Sequence, residues 1–313
     1  MTPARALVTG GAGFLGRHLV GALVARGWQV WAVDDFSAGR REDLAAIGDG
    51  TACHIVEADV ASAPSVASAV AAARPSVVFH LAALHFIPQC EREPLRTLQT
   101  NVVGTQAVLD AVQREPGCRM VFASTADVYA PSLEPHHERS ALAPPSLYGL
   151  SKAMGERLVQ RAGDQGLDYR IARLFNIFGP GDRVPHVLPD IVNRLSRAGV
   201  LALGRLDAVR DYVYVDDVVQ ALIALADHDG PDRIFNIGTG EGRSVRDLVT
   251  GVEAACGFPL SIRTDPSKLR PMERPVLVCD PGLARIALGW APQTVFQDGI
   301  SRVVAAAHPN GAA

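Results

Sequence analysis

The chain has 313 residues, a length that suits about two domains and a large buried core. Hydrophobic residues make up 48% and charged residues 20%, with 30 basic and 33 acidic side chains giving a formal net charge of -3. No basic excess invites a nucleic acid, and no apolar run reaches the roughly 18 residues of a membrane span, so neither kind of partner is expected.

The opening TPARALVTGG lacks the long apolar segment and cleavage site of a signal peptide. Five cysteines, Cys53, Cys90, Cys118, Cys256 and Cys279, are scattered without a CxxC pair. Both features predict a reducing cytoplasm, with the cysteines as buried thiols and no metal site.

RALVTGG reads as a buried strand ending in a glycine turn, and GFLGRHLVGALVARG as a helix with Leu15, Leu19, Leu23 and Val24 on one face and Gly27 as its stop. WQVWAVDD and ACHIVEADV are the second and third strands, and an alanine-rich stretch then ends at Pro75. PSVVFHLAA is a fourth strand, 101–112 a helix, CRMVFAST a fifth strand, 148–163 a helix behind Pro144 and Pro145, and LDYRIARLFNIFG a sixth strand. Apolar strands alternating with helices predict an α/β fold with a doubly wound parallel sheet.

After Gly179 the pattern changes to a proline-glycine loop, a helix in DIVNRLSRAG, a return to the sheet pattern in RDYVYVDDVVQALIALAD, and a short strand in RIFNIGTG. From Ser244 the chain reads as a helix, an extended piece, a proline-marked loop and a final helix. This predicts a dinucleotide-binding domain over 1–179 that resumes over 206–242. A small discontinuous α/β domain occupies 180–205 and 243–305, with a frayed tail over 306–313.

Three glycines, Gly10, Gly13 and Gly16, lie in TGGAGFLG, one residue wider than the usual GxGxxG. The first permits a tight turn after the strand, the second a close approach to a pyrophosphate, and the third close packing of helix on sheet. The helix N-terminus then offers N–H groups to phosphate. Asp34 ends the second strand, where a carboxylate can hold both adenosine ribose hydroxyls and repel a 2′-phosphate, which favours NAD over NADP. Arg40 and Arg41 follow closely and weaken that preference. Asp59 after the third strand can meet an adenine amino group or cap a helix.

YGLSK places Tyr148 and Lys152 four residues apart, on one face of a helix. A nearby ammonium favours the phenolate, so the pair can serve as a base. Ser124 or Thr125, at the end of the fifth strand, can hold a substrate oxygen opposite the phenol. With the glycine turn and Asp34, these are the parts needed to exchange a hydride between an alcohol carbon and NAD.

Nearly the whole chain resembles the extended short-chain dehydrogenase/reductase family, in particular its NAD-dependent nucleotide-sugar epimerases and dehydratases. The resemblance rests on TGGAGFLG, VDDFSAGR, HLAA, NVVGT, ASTADVY, YGLSK, RLFNIFGPGD, RDYVYVDDV, FNIGTG and the late LRPMERPVLVCDP and LGWAP. It implies a Rossmann-type fold with a small substrate domain, and NAD held by Gly10, Gly13, Phe14, Leu15, Gly16, Asp34 and Asp35. Asp59 and Val60 would lie beside adenine, Leu81, Ala82 and Ala83 would line the cofactor, and Asn101 would support the site. Thr125, Tyr148 and Lys152, with Ser124 beside them, would be catalytic, the last pair of the helix also touching the cofactor. Asn176, Arg210, Arg270 and Glu273 would hold a nucleotide-diphosphate sugar, and two copies would pair as a homodimer.

The string Ser124, Thr125, Ala126, Asp127 bears on the reaction. Family dehydratases resemble STDE here; Ala126 lacks the first acid, and Asp127 is one methylene shorter than the second. A small residue at Ala126 resembles the 4-epimerases, so epimerisation at C4 through a transient 4-keto sugar is expected. A 4,6-dehydratase, a 4-keto reductase or dehydrogenase, and a non-catalytic NAD-binding scaffold are the alternatives. The loop LHFIPQCEREP departs from the family and puts His85 and Cys90 near the expected sugar position.

Overall fold

The computed structural model describes residues 4–48, 50–196, 199–268 and 274–309. Strand β1 (Arg5–Thr9) is followed by α1 (Phe14–Ala25), β2 (Gln29–Asp34), α2 (Arg41–Ala45), β3 (Cys53–Glu57), α3 (Ala63–Ala73) and β4 (Val77–His80). A helical stretch comes next: α4 (Ile87–Arg92), α5 (Pro94–Leu98), a π-helical turn (Gln99–Val103) and α6 (Gly104–Val112). Strand β5 (Arg119–Thr125) passes through a short 3-10 turn (Ala126–Val128) towards α7 (Leu147–Asp164) and β6 (Asp168–Leu174). The remaining elements are β7 (Asn176–Phe178), α8 (Val187–Asn193), β8 (Val200–Leu203), β9 (Val209–Tyr214), α9 (Val215–Asp227), β10 (Ile234–Ile237), β11 (Gly242–Ser244), α10 (Val245–Cys256), β12 (Ser261–Thr264), β13 (Val276–Leu277), α11 (Gly282–Leu288) and α12 (Phe296–Ala307).

Seven strands form one sheet in the order β10-β6-β5-β4-β1-β2-β3. β1 pairs in parallel with both β2 and β4, β2 with β3, and β4 with β5. The order therefore reverses direction between β1 and β4, the switch point at which doubly wound sheets bind ligands. Every residue of β4 is buried, as a strand covered on both faces requires. Leu7, Val78, Met120, Phe122 and Ile171 of the sheet join Val66, Val70, Val108 and Val112 of α3 and α6 in one core cluster. On α1, Leu19, Val20 and Leu23 are buried, and the helix ends at Ala25, two residues before Gly27, whose φ of +80° suits glycine.

The chain divides into two compact units. The first holds Met1–Ala130, Ala141–Arg173 and Val219–Phe235; the second holds Pro131–Ser140, Leu174–Val218 and Asn236–Ala313. This differs from the expected division. The strand expected to resume the large sheet near residue 210 is β9, which pairs instead with β7, β11 and β13 in a separate four-stranded sheet. The apolar run that reveals a buried strand does not reveal its partner. Here the partner is set by Asp211, fully buried, which accepts bonds from the N–H groups of Thr239, Gly240 and Cys279 and from the Thr239 hydroxyl at 2.7–3.2 Å. At the C-terminus α12 continues to Ala307, and the His308 ring lies 2.9 Å from the Val192 carbonyl, so this part of the expected frayed tail is docked. Residues 310–313 lie outside the described residues. Among the described residues no helix is long and apolar enough to cross a membrane.

Candidate active site

The glycine turn is built by close approaches. Gly10 has a φ of +70°, and a Cβ on it would stand 2.8 Å from the Ala82 nitrogen after β4. A Cβ on Gly16 would run into the Gly10 carbonyl oxygen. These contacts hold the ends of β1 and β4 side by side under the start of α1. Gly13 is the N-cap of α1; no side chain caps it and no acid lies in the first turn. The N–H groups of Phe14 and Leu15, both half-buried, therefore open an uncapped positive helix end. That is a suitable cradle for the diphosphate of a dinucleotide.

Asp34 is buried at the end of β2 and braces this turn. Its Oδ2 accepts the Ala12 N–H at 2.9 Å and its Oδ1 the Phe36 N–H at 2.8 Å. Burial raises its pKa, and the Asp35 charge adds to the rise, while the backbone bonds oppose it. Exposed Asp35 accepts bonds from the Ser37 N–H and hydroxyl. Arg41 lies over the Phe36 ring and 3.8 Å from Glu57, so its charge has partners within the loop region. Asp59 is exposed and accepts the Ala61 N–H at 2.8 Å. Val60 is buried at the point where a Cβ on Gly104 would come within 2.9 Å of it.

A buried polar chain runs back from the end of β4. Leu81 N–H donates to the Thr9 carbonyl, and Ala82 N–H to the Thr9 hydroxyl. Ala83 follows, half-buried. Thr9 Oγ1 lies 2.6 Å from His80 Nδ1, His80 Nε2 lies 3.0 Å from Thr105 Oγ1, and Thr105 Oγ1 donates to the Asn101 carbonyl. Since the Thr105 proton is used on that carbonyl, Thr105 must accept from His80, which fixes a neutral Nε2–H ring accepting from Thr9. Burial first, and Lys152 second, drive His80 down to about 3, in accord with a neutral ring. Asn101, in the π-helical turn, clasps Leu84 by both its N–H and its carbonyl and also donates to Ser151 Oγ. Ser151 donates in turn to the Tyr148 carbonyl. The turn that displaces a helix register here serves to aim Asn101.

Helix α7 begins at a doubly held N-terminus. Ser146 accepts the Gly149 N–H, and Glu91 of α4 accepts the Leu147 N–H at 2.8 Å. Ser146 also donates to Asp127 at 3.2 Å. A Cβ on Gly149 would collide with the Asp127 carbonyl, so glycine lets the helix start directly against the end of β5. Half-buried Tyr148 lies close enough to Thr125 for that side chain to favour its ionised form, and the Thr125 hydroxyl accepts the Asp127 N–H. Lys152 is buried with its amine 4.1 Å above the Phe122 ring. No hydrogen bond to this amine is found among the described residues. Ser124 is buried and donates to Glu156 at 2.5 Å rather than standing beside Thr125 as an unoccupied donor. His85 is exposed, and Cys90 is buried with its thiol donating to the Leu84 carbonyl.

One expectation is reversed. Tyr148 is not drawn down by Lys152: burial raises its pKa, with Asp127 and Cys90 adding to the rise and only Thr125 opposing it. Lys152 is itself driven down to about 7 by burial, against the pull of Glu156. Desolvation outweighs the mutual influence assumed from helical spacing.

In the second unit Asn176 lies on β7 opposite Tyr212, and Arg210 lies on β9, donating to the Val209 carbonyl at 2.8 Å. Both are half-buried. Asp217 accepts the N–H groups of Gln293 and Thr294, so its role is structural. Arg270 and Glu273 lie outside the described residues. Among the described residues no group of three or more histidines, cysteines and acids is placed to hold a metal.

Residues 6–238 match the NAD dependent epimerase/dehydratase family. The chain belongs to this family. Among curated members it is 35% identical to UDP-glucose 4-epimerase of Mycolicibacterium smegmatis over 96% of its own length and 97% of that protein. The crystal structure of the Thermotoga maritima UDP-glucose 4-epimerase with UDP-glucose superimposes with a TM-score of 0.89 at 30% identity, covering 96% of this chain and 97% of the other. The Thermus thermophilus UDP-glucose 4-epimerase in complex with NAD gives 0.87 at 31%, covering 98% and 99%. The family also contains relatives with other reactions, such as UDP-glucuronic acid decarboxylase 1 of Arabidopsis thaliana at 30% over 96% of this chain and 69% of that protein.

Several polar residues around the site escaped the sequence reading. His80 and Thr105 needed the β4–α6 contact to be seen. Glu156 had a readable signal, since it follows Lys152 by another four residues on the same helical face.

Proposed function

We propose that the protein is an NAD-dependent 4-epimerase of a nucleotide-diphosphate hexose, acting through a transient 4-keto sugar. The observation that carries the reading is the placement of Tyr148 close enough to Thr125, at the end of β5, for Thr125 to lower its pKa, one helical turn from the buried Lys152 amine, which has no hydrogen-bond partner among the described residues. When bound, NAD supplies the acceptor and donor of the hydride at C4. Gly10, Gly13, Phe14, Leu15 and Gly16 hold its diphosphate, Asp34 and Asp35 its adenosine ribose, and Asp59 and Val60 its adenine. Leu81, Ala82, Ala83 and Asn101 shape the remainder, and Lys152 takes the second ribose. The uncapped start of α1 and the buried Lys152 amine fit such a group.

As the phenolate, Tyr148 removes the proton of the C4 hydroxyl and returns it after the ring has turned. Thr125 holds the same oxygen from the strand end. Asn176 and Arg210, with Arg270 and Glu273, grip the nucleotide diphosphate, leaving the sugar free to turn. Arginine forks suit phosphate oxygens. The first compact unit is then the NAD-binding domain and the second the substrate domain. The enzyme works in the cytoplasm, in carbohydrate metabolism, as a homodimer.

The test is incubation with UDP-, GDP- and dTDP-hexoses followed by NMR. A C4 epimer without net NADH is expected; a stable 4-keto-6-deoxy sugar would replace the reading with dehydration. That second reading draws on Asp127, which lies close enough to Tyr148 to influence it. Asp127 also anchors the Ser146 cap, a task its amide can still perform. Asp127→Asn should therefore slow turnover by less than about tenfold, whereas loss of a required acid would cost about 10²–10⁴-fold.

A further inference from the structure

Of the 30 basic residues in the chain only two are lysines, Lys152 and Lys268. Lys268 is exposed and paired with Asp190. Lys152 is 2% exposed, and its amine stands over an aromatic ring without a hydrogen bond among the described residues. One turn further along the same face of α7 stands Glu156, 1% exposed. Its carboxylate is held from two strands. Arg173 of β6 grips both oxygens, Nε to Oε1 at 2.9 Å and NH2 to Oε2 at 2.7 Å, and Ser124 of β5 donates to Oε1 at 2.5 Å. Arg173 is itself fixed by the Tyr129 hydroxyl at 3.0 Å and by stacking on the Tyr129 ring. Glu156 is thus fixed against one buried cation, Arg173, one helical turn from Lys152, and removing it would leave the Arg173 charge buried without its counter-charge.

We infer that Glu156, pinned by Arg173 and Ser124, is a positioning residue whose fixed carboxylate, one turn from Lys152 on the α7 face that carries Tyr148, holds the Lys152 amine closer to its charged form than burial alone would. The inference rests on the proposed use of Lys152 beside Tyr148. Among the described residues no other anion is found to do this. His80 on β4 is neutral within its own hydrogen-bonded chain. From the 3-10 turn and α4, Asp127 and Cys90 act on Tyr148, and Glu91 is occupied at the Leu147 N–H. Arg96 on α5 is paired with Glu93, while α6 and the π-helical turn offer Thr105 and Asn101, which do not titrate. Burial lowers Lys152 to about 7 and Glu156 alone opposes that fall. The tie also assigns Ser124 a support role, since its proton is used on Glu156.

Two lysines make the test direct. Protein labelled with ¹³C-lysine should show two side-chain Cε titrations, assigned by Lys268→Arg. In the unaltered protein the Lys152 midpoint should lie well below the ordinary 10.5 and provides the reference for the variants. In Glu156→Gln the midpoint should drop by about one unit or more, because the only opposing charge is gone. If that variant does not fold, Glu156→Gln/Arg173→Met avoids an unpaired buried cation, and a smaller downward shift is expected, because the repelling Arg173 charge is lost with the attracting one. An unchanged midpoint in either folded variant would overturn the inference. The titration needs no sugar, so a failed turnover assay would remove the proposed reaction and leave this result standing.

Discussion

Burial acts on Tyr148 and Lys152 in opposite electrical senses with one outcome, since both are pushed towards their neutral forms. For the phenol this means that the proton is held in the free protein and must pass to solvent before Tyr148 can accept the C4 hydroxyl proton. Tyr148→Phe keeps the ring and removes only the transferable proton, so turnover should fall by about 10²–10⁴-fold, the usual range for an acid–base group. NAD affinity, measured by calorimetry, should be unchanged, because Gly13, Asp34 and the start of α1 are untouched; a parallel loss of NAD binding would contradict the assigned role. For the amine the consequence is a pH-dependent stability. Its folded value of about 7 lies below the ordinary 10.5, so between those values the unfolded chain holds a proton that the folded chain has released. Stability from this group therefore rises with pH across that window, and its full cost is present below pH 7. Lys152→Met removes the term. The melting temperature of the variant minus that of the parent should be most positive near pH 6 and shrink towards pH 10, and a flat difference would refute the assignment.

At the level of elements, the turn between β1 and α1 depends on what is missing from it. A methyl on Gly16 has no space beside the Gly10 carbonyl, and that carbonyl belongs to the residue that seats the turn against Ala82. Gly16→Ala should thus cost about 1–3 kcal/mol of stability through displaced backbone and weaken NAD binding by moving the α1 N-terminus. Denaturant unfolding and NAD titration would measure the two effects; retention of both would show that the turn relaxes easily. This element was legible in advance because its geometry is local, one strand, one turn and one helix. The helical stretch from Ile87 to Leu98 was not. LHFIPQCEREP reads as a loop, yet its prolines, Pro88 and Pro94, each stand in the first turn of a short helix, where a missing N–H costs nothing. The support of α7 was equally hidden, since Glu91 reaches it from that unrecognised helix and Glu156 is gripped by a residue of β6.

Across the molecule, alternation of strands and helices disclosed the seven-stranded sheet, but it gave β9 the wrong sheet. Burial is written in a strand's own residues, whereas its neighbours are decided by side chains such as Asp211 that gather turns from far along the chain. The same limit applies to assembly, where exposure carries the information that periodicity lacks. Leu95 is 82%, Val103 54%, Leu150 46% and Met154 42% exposed, on α5, the π-helical turn and α7 of the first unit. Within each helical stretch the residues are spaced at four or eight, so each pair lies along one side of its helix. Large side chains left in water along two such lines are what a pairing surface provides. In a twofold dimer each substitution is present twice and on both sides of the contact. Leu150→Glu with Met154→Glu would bring four carboxylates to that surface while leaving the buried face of α7 intact. Analytical ultracentrifugation should then show a dimeric parent and a monomeric variant with an unchanged circular dichroism spectrum. A variant that still sediments as a dimer would place the contact elsewhere on the protein.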